Sequence, residues 1–290
     1  MQSVPLTGGG RRGWFPVALL LSAALAGCAT VPVTERFATP GVIIPLYVYP
    51  AGDGRQAWEA VAVAARRFDS VPVLVVVNPG NGPGRVPDSN YQSGIAELSS
   101  AGAEPVAYVA LGYGRRPLSE VHADLRRWRR RYPSVRGVFF DEVPVPNDTL
   151  SWREARRYVA DISTYARGRR FSGTLIGNPG TAAPRAYAGA EAFDLVVVHE
   201  DRRWPAPEAL AGGPRAEHSA VLVYGEGVWD RSQAEDLARA GRFLFVDDHS
   251  LDITGMGSSP WTFFPNNLEE QLQVLREYGG SSSDGRGRPR

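Results

Sequence analysis

The sequence of 290 residues contains no lysine, one cysteine and four histidines. Without lysine, the protein cannot form a lysine Schiff base or bind a nucleotide through the lysine of a P-loop. A single cysteine excludes a disulfide within the chain and a cysteine-rich metal site. The sequence also lacks the G-x-S-x-G motif of a nucleophile-elbow serine and the H-E-x-x-H motif of zinc proteases. These absences remove several common catalytic classes.

The charges of the sequence are nearly balanced, with 32 basic and 31 acidic side chains and a formal net charge of +1. Every basic residue is an arginine. So small a net charge argues against a protein that binds nucleic acid through a positive field, and we expect no nucleic-acid partner. Hydrophobic residues make up 43% of the chain, which is enough to bury a full core.

The N-terminal residues have the composition of a signal peptide. A polar stretch with Arg11 and Arg12 precedes an apolar run over residues 14–27, which is shorter than the roughly 20 residues that a transmembrane helix needs. The run ends in Leu-Ala-Gly followed by Cys28, and these four residues resemble a bacterial lipobox, in which the cysteine is lipidated. The alternative is an ordinary secretory signal with a chance cysteine.

These features predict an exported bacterial lipoprotein, anchored to a membrane through a lipid on Cys28 and facing the periplasm or the cell surface. We expect residues 1–27 to be the signal peptide, residues 28–40 a linker and residues 41–278 the folded domain. Residues 279–290 are rich in glycine, serine and arginine and are predicted to be a disordered tail. We expect the protein to be a monomer.

Eight short apolar runs alternate with amphipathic helical patterns through the folded domain. Runs of this kind are typical of strands that are buried on both faces. The predicted strands cover residues 42–48, 71–77, 105–111, 135–140, 172–177, 193–198, 220–224 and 242–246. The alternation predicts an α/β fold, a single-domain (β/α)8 barrel of the TIM type. The alternative is an open doubly wound sheet, which would favour a phosphate-binding fingerprint after its first strand, and none is present.

Polar and aromatic side chains follow almost every predicted strand. In a parallel barrel the active site lies at the carboxyl ends of the strands, so these side chains predict a site at one face of the barrel. We assign to substrate binding Tyr47, Tyr49, Asn78, Tyr113, Arg115, Asn178, His199, Tyr224, Trp229, Asp247 and Asp248. Asn78 and Asn178 each begin an Asn-Pro-Gly turn, and each either orients a ligand hydroxyl or holds its turn. The alternative role of Asp247 and Asp248 is to bind a metal together with His249.

Three carboxylates among these strand ends point to hydrolysis of a glycosidic bond. Asp141 and Glu142 follow one buried run directly, and Glu200 follows another. A carboxylate at the mouth of an apolar barrel is partly desolvated, and two such groups supply the nucleophile or base and the general acid of a glycosidase. Because side chains alternate along a strand, we expect only one of Asp141 and Glu142 to face the mouth. The alternative is that this pair caps a loop or binds an arginine.

Aromatic residues near the strand ends favour a carbohydrate ligand, because sugar rings stack on aromatic faces. They are Tyr47, Tyr49, Tyr113, Trp204, Tyr224, Trp229 and Trp261. Each of them alone is consistent with the packing of a loop. Together they favour a carbohydrate over a small anion.

Seven segments, in this order, resemble the spherulin-4 family over about residues 41–250. They read GVIIPLYVYP, VVVNPGNGPG, YVALGYGRRPL, GVFFDEVP, GNPGT, VVVHE and FLFVDD. The resemblance implies a (β/α)8 glycoside hydrolase-like fold and retaining cleavage of α-1,4-linked N-acetylgalactosamine or galactosamine in secreted polysaccharides. It implies Asp141 as the nucleophile, Glu200 as the acid/base, and Glu142 as a helper that orients the substrate or tunes a pKa. Such a mechanism needs no metal and no organic cofactor.

The sequence departs from the family pattern at His199, where relatives have phenylalanine, and around Tyr224, where relatives have histidine. One hypothesis is that His199 shares a proton with Glu200. Two alternatives to the hydrolase stay open: a polysaccharide-binding matrix protein on the same barrel, and a barrel enzyme of another class that works through Asp247 and Asp248. Metal dependence would distinguish the second alternative.

Overall fold

The computed structural model describes residues 39–147, 150–188, 192–249, 261 and 265–279. These residues fall within one compact unit of the chain. The predicted signal peptide, the predicted lipidation site Cys28 and residues 280–290 of the predicted tail lie outside them, so those expectations stay predictions. Among the described residues, no helix is both long and apolar enough to cross a membrane.

All eight predicted strands are present, and they close into a parallel barrel. Each strand pairs with the next one in the sequence, and β8 returns to β1 through the pairing of Val42 with Leu244. The strands are β1 Val42–Leu46, β2 Val73–Val77, β3 Glu104–Ala110, β4 Gly137–Asp141, β5 Leu175–Asn178, β6 Leu195–Asp201, β7 Ser219–Tyr224 and β8 Phe243–Asp247. The predicted TIM-type barrel is confirmed, and the open doubly wound sheet is excluded.

Seven α-helices in the described part of the chain surround this barrel. They are α1 Arg55–Arg67, α2 Ser89–Ser100, α3 Leu118–Arg131, α4 Trp152–Gly168, α5 Pro207–Ala211, α6 Arg231–Arg239 and α7 Leu268–Gly279. The apolar periodicity of the sequence predicts six of these helices. It does not predict α5, because five residues are too few to show a helical repeat. The described part of the connection after β5 contains a 3-10 turn at Arg185–Tyr187.

The apolar runs of the sequence are continuous because the barrel strands bury both of their faces. All five residues of β1 and all five of β2 are buried. Inward side chains fill the barrel and outward ones meet the helices. On α3, Val121, Leu125 and Trp128 are fully buried, and the Trp128 indole N–H donates to the carbonyl of Tyr108 at 3.0 Å. This packing fixes β3, and with it Tyr108, against α3.

The arginine-rich end of α3 holds part of the loop that follows β2. Arg131 donates to the carbonyl oxygens of Pro83 and Gly84, at 3.1 and 2.5 Å, and to that of Arg85 at 2.8 Å. These three carbonyls belong to the loop that follows β2. A guanidinium with several donors is well suited to satisfy neighbouring carbonyl groups that lie outside regular structure.

Gly137, the first residue of β4, allows the close approach of β5. A Cβ atom at this position would lie 2.3 Å from the carbonyl oxygen of Thr174. We expect Gly137→Ala to lower the free energy of unfolding by about 1–3 kcal/mol, because the barrel must shift to admit the methyl group. Gly168→Ala, at the end of α4, is the control, because no atom outside the adjoining backbone of its own helix lies within 4 Å of its Cβ position. Urea denaturation measures both variants, and equal stability of the two would contradict this packing.

Candidate active site

A cavity of about 290 Å³ opens at the carboxyl ends of the barrel strands. Its walls are formed by Pro45, Tyr47, Asn78, Asn81, Tyr108, Phe139, Asp141, Asn178, Glu200, Leu222 and Trp261. A larger groove of about 700 Å³ lies beside α4, between Trp152 and Tyr187, and no acidic side chain among the described residues lines it. The acid–base chemistry expected from the sequence is therefore concentrated in the smaller cavity, where Asp141 and Glu200 meet.

Asp141 is the last residue of β4 and faces the cavity. Phe139, two residues earlier, lines the same wall, as strand alternation predicts. The Asp141 carboxylate accepts hydrogen bonds from the Tyr108 hydroxyl at 2.7 Å and from the Asn178 amide at 2.9 Å. Burial raises the pKa of Asp141, and these two hydrogen bonds oppose the rise. Asp141 is thus a largely desolvated carboxylate with two neutral donors.

Glu200 on β6 shares the Asn178 amide with Asp141. Its Oε2 accepts from Asn178 Nδ2 at 2.7 Å, and its Oε1 accepts from the Trp261 indole N–H at 3.2 Å. Burial raises the pKa of Glu200, the hydrogen bonds from Asn178 and Trp261 lower it, and the charge of Asp141 raises it. A raised pKa suits a carboxyl group that has to hold a proton near neutral pH.

Asn178 bounds the separation of the two carboxylates. Its Nδ2 donates to Asp141 Oδ1 and Glu200 Oε2, and the two bond lengths, 2.9 and 2.7 Å, place these oxygens no more than 5.6 Å apart. Asn178 itself is only 4% exposed, and its Oδ1 accepts the Gly180 N–H at 3.1 Å. The cavity therefore holds two carboxyl groups close enough to act on one bond.

Glu142 does not line the cavity. Its backbone φ is +53°, in the left-handed region, which costs a residue with a side chain about 1–2 kcal/mol. Two hydrogen bonds hold this conformation: the Gly112 N–H donates to the Glu142 carboxylate at 3.0 Å, and the Tyr113 N–H donates to the Glu142 carbonyl at 2.8 Å. Glu142 thus ties the loop after β3 to the loop after β4, while Asp141 faces the cavity.

Two other predicted residues, Tyr47 and Asn78, line the cavity. The Tyr47 ring packs edge-on against Tyr108 with 5.8 Å between centroids, and burial raises the pKa of Tyr47 well above its ordinary value. The Oδ1 of Asn78 accepts the Gly82 N–H at 2.9 Å. Tyr47 therefore presents a neutral hydroxyl, and Asn78 a side-chain amide, at the cavity wall.

Tyr113 and Tyr224 lie near the carboxylates without forming the wall. Tyr113 is 43% exposed and has a left-handed φ of +54°. The Tyr224 ring packs edge-on against Trp261, with 5.3 Å between centroids. Burial raises the pKa of both tyrosines, and the negative charges of nearby carboxylates, Glu142 first for Tyr113 and Glu200 first for Tyr224, add to the rise. Both rings are therefore available at the entrance rather than inside the cavity.

Three further predicted residues lie outside the cavity wall. Tyr49 is 46% exposed, and its hydroxyl donates to Asp88 at 3.1 Å, at the start of α2. Arg115 is exposed, with its guanidinium 5.7 Å from the centroid of the Tyr113 ring. Trp229 is half-buried and packs against the core. Each of these side chains has a structural neighbour that accounts for its position.

Among the described residues His199 makes no hydrogen bond to Glu200, so the hypothesis that the two share a proton stays a prediction. Its Nε2 bonds to the carbonyl of Arg203 at 2.6 Å. A β-bulge between Val197 and His199 shifts the pairing of β6 with β7 just before Glu200. His199 and Glu200 follow each other in regular register after this bulge, and the alternation of side chains along a strand accounts for their different directions.

Asp247, Asp248 and His249 form a group that could hold a metal, since one ligand atom of each lies within 4.8 Å of the others. Asp247 Oδ1 accepts the backbone N–H of His249 at 3.1 Å and contacts its Nδ1 at 2.9 Å. Asp247 Oδ2 and Asp248 Oδ1 are buried and have no hydrogen-bond partner among the described residues. None of the three lines the cavity, so this group is separate from the wall that carries Asp141 and Glu200.

Two hydrogen-bonding residues of the cavity wall, Tyr108 and Asn81, are not among the site residues predicted from the sequence. Tyr108 lies within β3, whereas the predicted site residues follow the strands. The signal in the sequence is a tyrosine, with its polar hydroxyl, inside an otherwise apolar run. Asn81 lies in the glycine-rich segment after β2 and has a left-handed φ of +51°. Trp261 is one of seven aromatic residues that the sequence places near the strand ends, and its hydrogen bond to Glu200 distinguishes it from the other six.

Comparison with known proteins gives relatives of both the sequence and the fold. A model of the spherulation-specific family 4 matches residues 41–275. Spherulin-4 of Physarum polycephalum is 32% identical over 190 residues, which cover 65% of this chain and 53% of that protein, so the chain spans about half the length of this curated relative. The crystal structure of Aspergillus clavatus Sph3 in complex with GalNAc matches with a TM-score of 0.66 at 24% identity, over 85% of this chain and 99% of that one. At this identity the structural match shows the shared barrel fold.

The buried carboxylates should reduce stability at neutral pH. Because burial raises the pKa of Asp141 and Glu200 in the folded state, their contribution to stability is present at low pH and is lost as the pH rises through the raised values. We expect Asp141→Asn and Glu200→Gln to have a higher Tm than the wild type at pH 7. The rise should be about 2–4 °C for each kcal/mol by which the substitution increases the free energy of unfolding. The difference should vanish below about pH 3, where carboxyl groups are protonated in both states.

Thermal unfolding between pH 3 and 8, followed by circular dichroism, measures this difference in Tm. The control is Asp69→Asn, which removes the charge of an exposed carboxylate. Variants that are less stable than the wild type at pH 7 would contradict the effect of burial.

Proposed function

The chain belongs to the spherulation-specific family 4, and from this membership and the paired carboxylates of the cavity we propose that the protein is a glycoside hydrolase. Its substrate is a secreted polysaccharide of α-1,4-linked N-acetylgalactosamine or galactosamine. It cleaves within the polymer and retains the configuration of the anomeric carbon.

The spacing of Asp141 and Glu200 is the observation that carries this proposal. Their facing oxygens lie no more than 5.6 Å apart, because both bind one nitrogen of Asn178. Carboxyl groups about 5–5.5 Å apart are typical of retaining glycosidases, whereas inverting enzymes keep them about 6.5–9.5 Å apart to leave room for a water molecule. The spacing therefore favours the retaining route.

The two carboxyl groups have different roles in that route. Glu200, in its protonated form, donates its proton to the glycosidic oxygen as the bond from this oxygen to the anomeric carbon breaks. Asp141 attacks the anomeric carbon from the other face and forms a covalent glycosyl ester. Glu200, now ionised, removes a proton from water, which attacks the same carbon and releases Asp141. The donors Tyr108 and Asn178 stabilise Asp141 as the ionised nucleophile and leaving group.

The proposed sugar is inferred from the similarity to Sph3, and its proposed position is inferred from the size of the cavity. Sph3 of Aspergillus clavatus was crystallised in complex with GalNAc. A cavity of about 290 Å³ is near the lower end of ligand-site volumes, which suits one sugar ring, with the rest of the polymer outside. Tyr47 and Trp261 supply flat apolar walls for this ring, and Tyr113 and Tyr224 are placed to contact the sugars at the entrance.

The location proposed for the enzyme follows from its N-terminal sequence. Residues 1–27 direct export, a lipid on Cys28 holds the protein at a membrane, and the segment to residue 40 links the lipid to the barrel. A polysaccharide outside the cytoplasm is the substrate that such a protein would meet.

Incubation of the full-length protein with partly deacetylated α-1,4-linked galactosaminogalactan tests the proposed activity. We expect the wild type to release oligosaccharides that mass spectrometry detects. Asp141→Asn and Glu200→Gln should each lower the rate by about 1,000-fold or more, because each removes a group that takes part in bond cleavage. Asp69→Asn and Glu97→Gln, both at exposed positions, are the matched controls and should retain full activity.

The outcomes of this experiment separate the alternatives. Wild-type protein that binds the polymer and releases no product would favour a binding protein on the same barrel. The proposed mechanism needs no metal, so a chelator should leave the rate unchanged. A chelator-sensitive activity that survives Asp141→Asn would instead point to the group of Asp247, Asp248 and His249.

A further inference from the structure

Two Asn-Pro-Gly turns stand at the ends of β2 and β5. They begin at Asn78 and Asn178, and both asparagines line the cavity. In each turn the side-chain Oδ1 accepts a backbone N–H from its own loop, from Gly82 at 2.9 Å and from Gly180 at 3.1 Å. Because an N–H group holds each oxygen, the orientation of each amide is fixed, and Nδ2 is the atom left for other partners.

The two amide nitrogens differ in their partners. Nδ2 of Asn178 donates to Asp141 at 2.9 Å and to Glu200 at 2.7 Å, so both of its hydrogens are used. Nδ2 of Asn78 makes no hydrogen bond with any described residue. Asn178 is almost fully buried, whereas Asn78 is half-buried. One turn therefore serves the carboxylates of the protein, and the other leaves a donor at the cavity wall.

The Asn178 amide acts on the charge of the carboxylate pair as well as on its geometry. Burial raises the pKa of both Asp141 and Glu200, and the hydrogen bonds from Asn178 lower both. Two ionised carboxylates at this distance also repel each other. A donor between them reduces this repulsion and keeps the two side chains from moving apart.

We propose that Asn178 is the positioning residue that sets the spacing and the protonation of Asp141 and Glu200, and that Asn78 is a binding residue that donates to an oxygen of the substrate. Asn178 has no N–H left for the sugar, so its effect on catalysis passes through the two carboxyl groups. This inference rests on the proposed glycosidase function.

The two turns supply a pair of variants for comparison. Asn178→Ala and Asn78→Ala each lose one bond to a loop N–H, which spans two residues in the first turn and four in the second. We expect Asn178→Ala to lower kcat by about 100-fold, because the two carboxyl groups are no longer held in place, with little change in KM. Both limbs of its pH–rate profile should move to higher pH, because the pKa of Asp141 and that of Glu200 both rise.

Asn78→Ala should have the opposite kinetic signature. Loss of one hydrogen bond to the substrate should raise KM by about 2–10-fold and leave both limbs of the pH–rate profile in place. A matching shift of the pH limbs in both variants would overturn the division of roles. So would an Asn178→Ala enzyme whose pH limbs do not move.

A measurement without substrate separates this inference from the proposed function. Titration of ¹³C-labelled aspartate and glutamate carboxyl groups by NMR reports the pKa of Asp141 and Glu200 directly, with Asp141→Asn and Glu200→Gln used to assign the signals. Both pKa values should rise in Asn178→Ala and stay in place in Asn78→Ala, whether or not the wild type cleaves the polymer tested. Unchanged values in Asn178→Ala would overturn the positioning role even if the enzyme is an active glycosidase.

Asn178→Ser is the second variant if Asn178→Ala does not fold. A hydroxyl has one hydrogen to donate, so it can serve only one of the two carboxylates at a time. We expect a shift of the pH limbs that lies between those of the wild type and Asn178→Ala. A serine variant with the wild-type profile would contradict the need for a donor to both groups.

Discussion

Burial of two acidic side chains in the mouth of an apolar barrel is the constraint on which the site depends. Moving an ionised carboxylate out of water is unfavourable by several kcal/mol unless other groups stabilise the charge. Here the stabilising groups are neutral: the Tyr108 hydroxyl, the Asn178 amide and the Trp261 indole. Within the described part of the chain, no arginine pairs with either carboxylate. A paired arginine would hold both groups ionised, whereas neutral donors leave Glu200 able to bind and release a proton.

The register of the barrel brings these groups together. Asp141 and Asn178 are direct partners in the pairing of β4 with β5, so the amide reaches the carboxylate from the adjacent strand. Glu200 lies on β6, the next strand round, and Tyr108 lies on β3, on the other side of β4. Three successive strands thus supply the two carboxylates and the donor between them, and a fourth supplies the hydroxyl. A rigid, closed sheet fixes these distances better than flexible loops could.

The fold could be predicted from the sequence because each barrel strand buries both faces and shows an unbroken apolar run, as in the five buried residues of β2. The choice between Asp141 and Glu142 could not, because it depends on a left-handed backbone at Glu142 that the separate loop after β3 stabilises. Tyr49 shows the same limit, since its hydroxyl bonds to Asp88, 39 residues away in the sequence. Contacts between loops that are distant in the sequence leave no local pattern to detect.

The most direct test of the two-carboxylate mechanism is to trap the glycosyl ester. In Glu200→Gln, an N-acetyl-α-galactosaminyl fluoride needs no acid to lose fluoride, so Asp141 can form its bond to the anomeric carbon, but the base that would release it is missing. Trypsin cleaves after Arg136 and Arg153, and tandem mass spectrometry of the peptide of residues 137–153 locates the adduct. The predicted result is one sugar on Asp141. An adduct on Glu142, or fluoride release without any adduct, would contradict the mechanism.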